Sequence, residues 1–552
     1  VSKLLTFLTM KRFCILWVAL LSCVCSLQAQ EEPLTAKDMY DMAVECVKVH
    51  NRSAALEYLK EANRLDPTLS DAYALSGAIV SEYIVNLLKT RAANDLASRD
   101  TVAQLVPYCL GQMNNAIQFC NEESIHSMAL LLLTRGDFYA DLGYYDKAYK
   151  DFNAAYEALK KDEFDVAVDI LESRANIYRM AGDEMSYHLD MSEAITNCKK
   201  AIKKDPTDIR FYEKRLNIRY QLGFYNLVEE SLFEILEKFP PQTFEDFDDY
   251  EAALRLDIPT AKKLLSKKLK KQPDNKNWLY VQALLTFYQK DYALALQQFD
   301  NLIAQCDDTY RLQHGKVSCY FNANCYDKAL AMFDKMGATH DSLDYQDRFL
   351  KMMICELDGR YEDAIALTED LLKKPEYQKE ILYTRASAYR RLGQDAKAMV
   401  DLNTILQNDS TYTYALLSRA KIHLKYGALD MAKTDAMRVL QVDTVCDGNS
   451  VRHYALFIMD REQEAIDWVN SVQTTDVSRD RYYDAACLFS MMGKTEEALQ
   501  QLEKALEAGY AYFNHVMHDN DLDNIRQLPQ FMPLVEKYKQ KHDEKCSQLI
   551  EP

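Results

Sequence analysis

Residues 382–405, LYTRASAYRRLGQDAKAMVDLNTI, decide the fold of this chain. On both sides of Gly393, small and apolar residues recur at i, i+4 and i+7, which is the spacing of one stripe of an α-helix. The stripes are formed by Leu382, Ala386 and Tyr389 before the glycine and by Ala398, Leu402 and Ile405 after it. Glycine suits a helix end because it tolerates a left-handed backbone. The stretch therefore predicts two helices joined by a short turn.

A small residue returns at the same place in this pattern over more than half of the chain. The positions are Ala194, Val228, Ala261, Ala295, Ala329, Ala364, Ala398, Ala432, Ala465 and Ala498, with gaps of 33 to 35 residues. A fixed period of this size is typical of a stacked array of helical hairpins. A small side chain lets the two helices of a hairpin approach closely. We therefore predict an all-α solenoid without β-strands.

At these residues the chain resembles the tetratricopeptide repeat family, whose helix–turn–helix unit of small and aromatic positions is about 34 residues long. The phrases YYDKAYKDF at 144–152 and YEDAIALT at 361–368 are similar to the start of the family's second helix. The resemblance covers residues 36 to the end. It implies a right-handed superhelical solenoid of antiparallel helix pairs.

The predicted array has three parts. Residues 34–241 form an irregular N-terminal array, in which the second hairpin is enlarged and roughly seven extra residues lie near 183–190. Residues 242–510 form a regular array that begins after the two prolines at 240–241. Residues 511–552 form a C-terminal cap with an amphipathic helix, because the last hairpin of a solenoid exposes an apolar face that needs a cover.

Residues 1–29 have the pattern of a secretory signal, with Lys11 and Arg12 before an apolar run at 13–24. Cleavage after Ala29 is the preferred interpretation; lipidation of Cys23 and an uncleaved anchor are the alternatives. The run is shorter than the ~20 residues that a bilayer-spanning helix needs, so we expect no transmembrane span in the mature chain. Val1, taken as an alternative start codon, indicates a bacterium. We expect export to the periplasm or association with the outer membrane.

The charge and motif content disfavour several classes of function. A net charge of −18 disfavours nucleic acid as a partner, because its binding depends on a basic face. The sequence contains no GxGxxG, GxxxxGK[ST], HExxH or GxSxG motif. His515 and His518 have a helical spacing that a metal could use together with Asp519, but no further ligand pair is nearby and we interpret the two histidines as surface residues. We predict a non-enzymatic protein without metal or cofactor.

Eleven of the 14 cysteines follow residue 29, and none forms a CxxC pair. Cys198, Cys355 and Cys487 lie on apolar stripes, where cysteine behaves as a small hydrophobe. One disulfide is compatible with an oxidising compartment. Cys109 and Cys120 are the pair to test, although two cysteines on one straight helix cannot be bridged.

The resemblance also implies a binding surface. In the family, the first helix of each hairpin turns one face to the inside of the superhelix and lines a groove. At these positions the chain carries Tyr280, Phe287, Tyr288, His314, Phe321, Phe349, Tyr383, Arg390, Arg391 and Lys421. The set is aromatic first and basic later, and aromatic residues and arginine dominate protein interfaces.

We therefore predict a scaffold that binds a protein or peptide segment with an acidic end in this groove. One alternative is that the aromatic residues bind carbohydrate by stacking. Another is that several of them pack against the neighbouring hairpin.

Overall fold

The computed structural model describes residues 34–89, 96–306, 309–339, 343–444, 450–475 and 478–551. In this part of the chain there are 29 α-helices, two short 3-10 helices and no β-strand. The all-α prediction is confirmed. No helix in the described ranges has both the length and the apolar character required to cross a bilayer. The predicted signal at 1–29, with Cys23, lies outside the described residues.

The chain divides into two compact units, which meet between Ser231 and Leu232. This division lies earlier than the boundary that the sequence predicts between 241 and 242. The helices that begin in the first unit are α1 (Ala36–Lys48), α2 (Arg52–Leu65), α3 (Ser70–Lys89), α4 (Leu96–Phe119), α5 (Met128–Asp141), α6 (Tyr145–Glu157), α7 (Phe164–Met180), α8 (Glu184–Lys204), α9 (Ile209–Gln221) and α10 (Tyr225–Lys238). The division between the units falls within α10.

The second unit continues the same alternation and ends with a different segment. Its paired helices are α11 (Asp248–Leu254), α12 (Ile258–Lys271), α13 (Lys276–Tyr288), α14 (Tyr292–Ile303), α15 (Tyr310–Asn322), α16 (Tyr326–Thr339), α17 (Tyr345–Leu357), α18 (Tyr361–Leu371), α19 (Gln378–Arg391), α20 (Asp395–Asn408), α21 (Thr413–Lys425), α22 (Leu429–Val442), α23 (Arg452–Ile458), α24 (Glu462–Thr475), α25 (Arg479–Met491) and α26 (Thr495–Glu507). The last helices are α27 (Phe513–His518), α28 (Asp523–Arg526) and α29 (Phe531–Ser547).

The second helix of most hairpins carries the predicted small residue at one fixed place. It is the fourth residue of the helix and is 0% exposed. These residues are Ala55, Ala148, Val228, Ala261, Ala295, Ala329, Ala364, Ala398, Ala432, Ala465 and Ala498. Because almost no side chain stands there, the first helix of the hairpin packs directly against the second.

The turn inside a hairpin contains a residue in the left-handed conformation. Gly393 has a φ of +70°, as the sequence predicts. Asp460, which stands where a glycine is missing in the α23–α24 turn, has a φ of +60°. Aspartate tolerates this conformation better than most residues because its short polar side chain can bond locally. The turn geometry is therefore kept even without glycine.

One hairpin departs from the predicted register. α8 is 21 residues long, and its fourth residue is Tyr187 rather than Ala194. The extra residues therefore lengthen the C-terminal end of α8 and do not lie near 183–190. Seven residues make about two helical turns, so Ala194 lies on the same buried face as Tyr187. This coincidence explains why the period of 33 to 35 residues includes Ala194.

Four hairpins share an ion pair between their two helices. In each, an arginine of the first helix donates two hydrogen bonds to an aspartate 16 residues later. The pairs are Arg135–Asp151, Arg174–Asp190, Arg385–Asp401 and Arg419–Asp435, with N–O distances of 2.7–2.8 Å. Bidentate arginine–carboxylate bonds fix orientation as well as distance, so these pairs define the register of the two helices.

Gly136 marks a second place where the α5 and α6 helices need a minimal side chain. A Cβ atom at this position would lie 2.6 Å from Cε1 of Phe152, whose ring is fully buried. The ring therefore occupies the space that any larger residue at position 136 would take. The hairpin combines two such contacts, at Gly136 and at Ala148.

We expect Gly136→Ala to lower the free energy of unfolding by about 1–2 kcal/mol, because overpacking outweighs the helix propensity that alanine gains. Gly111→Ala in α4 is the matched control, since nothing lies within 4 Å of a Cβ atom there. That change should raise stability by about 0.5–1 kcal/mol. Urea unfolding of both variants, followed by circular dichroism, measures the two effects, and equal effects would contradict the packing account.

Candidate functional site

The first helices of the second unit hold a segment of the same chain. We call residues 511–551 the C-terminal segment. It contacts the α15–α16, α17–α18, α19–α20, α21–α22 and α25–α26 hairpins. It therefore lies against residues that the sequence places in a binding groove, in addition to packing against the last helix pair.

Asp519 is the most completely held residue of this segment, with 3% of its surface exposed. Its Oδ1 atom accepts a hydrogen bond of 2.5 Å from Arg391 of α19. Its Oδ2 atom accepts a bond of 2.9 Å from the Tyr483 hydroxyl of α25, and Nε2 of His515 lies 3.3 Å from it. The carboxylate of Asp519 is thus bound by two hairpins, α19–α20 and α25–α26.

Arg391 and Asp519 stabilise each other's charged forms. Burial opposes the charged form of Asp519, but Arg391 and the hydrogen bond from His515 hold its pKa well below the ordinary range. Burial likewise opposes the charged guanidinium, and Asp519 holds the pKa of Arg391 above its usual value. His515, which the sequence analysis interprets as a surface residue, has only 16% of its side chain exposed. Both partners therefore remain charged at neutral pH.

A second acidic residue is bound two positions later. Nζ of Lys421 in α21 donates a hydrogen bond of 2.5 Å to Oδ2 of Asp521. The same ammonium lies 3.7 Å from the centre of the Tyr454 ring, within the range of a cation–π interaction. The side chains of Lys421 and Asp521 are 12% and 15% exposed. Both side chains of this ion pair are thus largely shielded from water.

The segment also packs tightly against the α17–α18 turn. Nδ2 of Asn514 donates a bond of 2.6 Å to the carbonyl of Asp358. Gly359 has a φ of +81°, and a Cβ atom there would lie 2.8 Å from Cβ of Asn514. His518 meets the Tyr361 ring edge to face at 6.4 Å. The turn therefore supplies a close backbone contact that only glycine allows.

A disulfide fixes the far end of the segment. Cys546 of α29 is bonded to Cys325, which precedes α16 and lies 221 residues earlier. Beside it, Lys328 donates to the carbonyl of Leu549 at 2.7 Å. Cys109 and Cys120, the pair that the sequence singled out for a test, are both free. Cys109 lies within α4 and Cys120 directly after it, so the two cannot bridge.

The predicted groove residues of α13 are covered by the helices that precede them. Tyr280 is 1% exposed and packs on Phe244 and Phe247, at 4.8 and 5.1 Å between ring centres. The hydroxyl of Tyr288 donates to Glu251 at 3.1 Å, and Phe287 packs beside Tyr288. Tyr280 is therefore a buried residue, because the irregular stretch before α12 brings aromatic residues over it.

The predicted residues of α15 and α17 lie in side-chain networks. Nε2 of His314 is 3.3 Å from Asp347, and burial lowers the pKa of this histidine. Phe321 packs against Tyr326 with 6.0 Å between ring centres. Phe349 is stacked on Tyr377 at 4.8 Å. Tyr280 is thus buried and one face of Phe349 is covered by another ring, which disfavours the carbohydrate alternative at these two residues.

Tyr383 and Arg390 line a cavity between the first helices and the C-terminal segment. Its volume is about 240 Å³, and Ser387, Tyr414 and Asp484 line it as well. Burial raises the pKa of Asp484 to about 7, even with Arg481 3.0 Å away. Among the ten predicted residues, Arg391 and Lys421 hold the segment, and Tyr383 and Arg390 face this cavity.

Sequence reasoning did not assign three residues to this site: Tyr483, Asp519 and Asp521. Asp519 and Asp521 were placed in the cap, and Tyr483 was not singled out. One signal was available: the basic end of the predicted groove calls for acidic side chains, and the stretch 519–523, DNDLD, supplies three. The sequence does not show that the two stretches meet, because they are about a hundred residues apart.

Known proteins match parts of this chain. The tetratricopeptide repeat family matches residues 129–160, which span most of α5 and all of α6. A chloroplast protein of Arabidopsis thaliana is 34% identical over 56 residues, which are 10% of this chain and 17% of that protein. The chain thus spans less than a fifth of that relative's length. The predicted relation to tetratricopeptide repeats is confirmed at the α5–α6 hairpin.

Three solved structures are similar over longer stretches. The Cut9–Hcn1 hetero-tetramer of the APC/C has 14% identity and a TM-score of 0.32, over 78% of this chain and 96% of that chain. A tetratricopeptide repeat protein of Parabacteroides merdae has 16% identity and a TM-score of 0.30, over 54% and 99%. Yeast Tom70 has 13% identity and a TM-score of 0.29, over 75% and 96%.

We expect Arg391→Ala to lower the free energy of unfolding of the full chain by about 3 kcal/mol, because it leaves Asp519 buried without its charge partner. Arg390→Ala is the matched control: this neighbouring side chain is half-buried and its contact with Ser418 is 3.5 Å long. Its loss should change stability by less than about 1 kcal/mol. Guanidinium unfolding measures the stability of both variants. A similar loss of stability in the two would contradict the claim that the Arg391–Asp519 ion pair stabilises the fold.

Proposed function

We propose that this chain is a tetratricopeptide-repeat scaffold that binds a segment of another protein on the first-helix face of its second unit. The observation that carries the proposal is that this face already holds a stretch of polypeptide. The contacts use arginine, lysine and tyrosine side chains and one backbone carbonyl. Such groups recognise a polypeptide by its charge and shape.

The cavity lined by Tyr383 and Arg390 is the part of this face that offers space to a partner. Tyr383 packs edge to face with Tyr412 at 5.7 Å and lies 5.9 Å from Tyr414. Tyrosine side chains lose little conformational entropy when a partner buries them, and arginine is enriched among the residues that dominate binding energy. These residues therefore combine apolar area with a cation, which suits an extended peptide that carries acidic side chains.

The absence of catalytic motifs in the sequence supports a binding role over an enzymatic one. The buried thiol of Cys487, which lies 3.8 Å from Asp519, has its pKa raised by burial. A thiol in this state is a weak nucleophile. The polar cluster around Asp519 is therefore better suited to holding charge than to chemistry on a substrate.

A photo-crosslinking amino acid in place of Tyr383 tests the proposal in cells that produce the protein. We expect covalent products with another protein, because this side chain faces the cavity. Val400 on the second helix of the same hairpin is the control position, since it is 65% exposed and points away from the cavity. Products that also disappear after Arg390→Ala would support the proposal. No product at Tyr383, or equal yields at both positions, would reject it.

We also propose that the protein is exported, on the basis of the signal pattern at 1–29. The intact mass of the protein from its native cells distinguishes the alternatives. A mass that begins after Ala29 is expected. A lipid-modified mass that begins at Cys23 would indicate an anchored form, and a mass that includes all of residues 1–29 would reject processing.

A further inference from the structure

The C-terminal segment satisfies an electrostatic requirement of the face that it covers. Arg391 and Lys421 have 11% and 12% of their side chains exposed. A buried cation without a partner destabilises a protein strongly. Any ligand that takes the place of the segment buries these two cations again, so it has to supply anions in the same places. The face is therefore specific for acidic ligands and would not accept an apolar helix equally well.

The spacing of the two anions defines the ligand more closely. Asp519 and Asp521 are two residues apart, and the amide of Asp521 donates to the Asp519 carboxylate at 3.1 Å, which turns the backbone between them. Within the segment, Tyr512 stacks on Tyr326 of α16 at 5.5 Å between ring centres. Leu522 and Ile525 follow the acidic pair and are fully buried. A competing ligand would therefore carry two carboxylates at i and i+2, an aromatic residue before them and an apolar residue after them.

The segment is held at both ends by covalent bonds. The main chain joins it to α26, and the Cys325–Cys546 disulfide joins it to the start of α16. A tethered ligand competes at an effective concentration in the millimolar range. A free peptide of the same chemistry therefore has little access while both tethers are in place. Removing one tether lowers the effective concentration and lets the free peptide compete.

The disulfide is accessible from outside. It lies at a cavity of about 310 Å³ that Phe513, Lys539 and His542 also line. Cys546 is half-buried, whereas Cys325 is 4% exposed. Cys546 is the more exposed of the two residues, so we expect an incoming thiolate to attack its sulfur. Exchange with a dithiol would leave Cys325 and Cys546 as thiols, while the dithiol gives up two electrons and two protons and becomes a disulfide.

We propose that the first-helix face of the second unit binds an acidic segment of a partner protein in exchange for the C-terminal segment, and that the Cys325–Cys546 disulfide suppresses this exchange. The inference rests on the proposed scaffold function and adds the chemistry of the partner and its control. The partner segment resembles residues 510–526, with carboxylates in place of Asp519 and Asp521. The chain's own segment acts as the resident competitor.

The test measures binding of a fluorescent peptide with the sequence of residues 510–526 to the full-length protein. A peptide with asparagine at both aspartate positions is the control ligand. We expect weak binding to the oxidised protein and binding that is roughly 100-fold tighter after treatment with a dithiol or in the Cys325→Ser/Cys546→Ser variant. The asparagine peptide should bind neither form tightly, since it lacks the two anions.

A pair of glycine variants tests displacement of the segment without changing the charged residues of the site. Gly359→Ala pushes against Asn514 and should weaken the hold on the segment, so we expect tighter peptide binding than in the disulfide variant alone. Gly393→Ala is the matched control, because it has a similar φ of +70° and nothing within 4 Å of its Cβ position. Both changes strain a turn equally, and only the first meets the segment. Equal effects of the two would contradict displacement.

The outcomes separate this inference from the scaffold function. Equal affinity for the aspartate and asparagine peptides in the dithiol-treated protein would overturn the acidic preference, even if Tyr383 still crosslinks to a partner. Equal affinity for the aspartate peptide before and after reduction would overturn the role of the disulfide. Dimers of the opened variant that form by mutual exchange of C-terminal segments would show that the occupant is a second copy and not a partner. Peptide binding without any crosslink at Tyr383 would instead reject the scaffold function.

Discussion

Two α-helices can lie close together only where one of them presents almost no side chain. In this protein that place is the fourth residue of the second helix, which is fully buried in hairpin after hairpin. In four hairpins, an Arg–Asp pair 16 residues apart then fixes the register of the two helices along their axes. Each hairpin is a unit whose geometry is defined before it meets its neighbours. Stacking such hairpins within the second unit brings their first helices side by side, and the face that holds the C-terminal segment is a consequence of that stacking.

A second constraint acts on the face itself. Arg391 is nearly inaccessible to water, and a guanidinium in that position needs an anion. Asp519 supplies it and is held in turn by the Tyr483 hydroxyl and by His515. The C-terminal segment therefore acts as a ligand as well as a cover. Its disulfide to Cys325 connects the cover to a hairpin that lies far away in sequence.

The hairpins and their turns could be predicted from the sequence because their determinants are local. Gly393 and Ala398 lie within one hairpin, and their meaning depends only on helical geometry. The register of α8 could not be read in the same way. An extension of two turns returns the chain to the same face, so Ala194 has the spacing expected of the fixed small residue. The residue that occupies the fixed position is Tyr187, whose large side chain does not fit the pattern. The Arg174–Asp190 pair, which lies at the same spacing as in other hairpins, carries the correct register.

The sequence by itself determined the helical class, the hairpin, the turn glycines and the basic character of the first-helix face around Arg390 and Lys421, because each depends on residues less than about one repeat apart. Only the tertiary structure decided what lies against that face. Burial of Tyr280 under Phe247, the Arg391–Asp519 pair and the Cys325–Cys546 bond all join stretches that are distant in sequence. Which residues pair in this way depends on how the hairpins stack and on where the chain returns, and no local sequence pattern determines either.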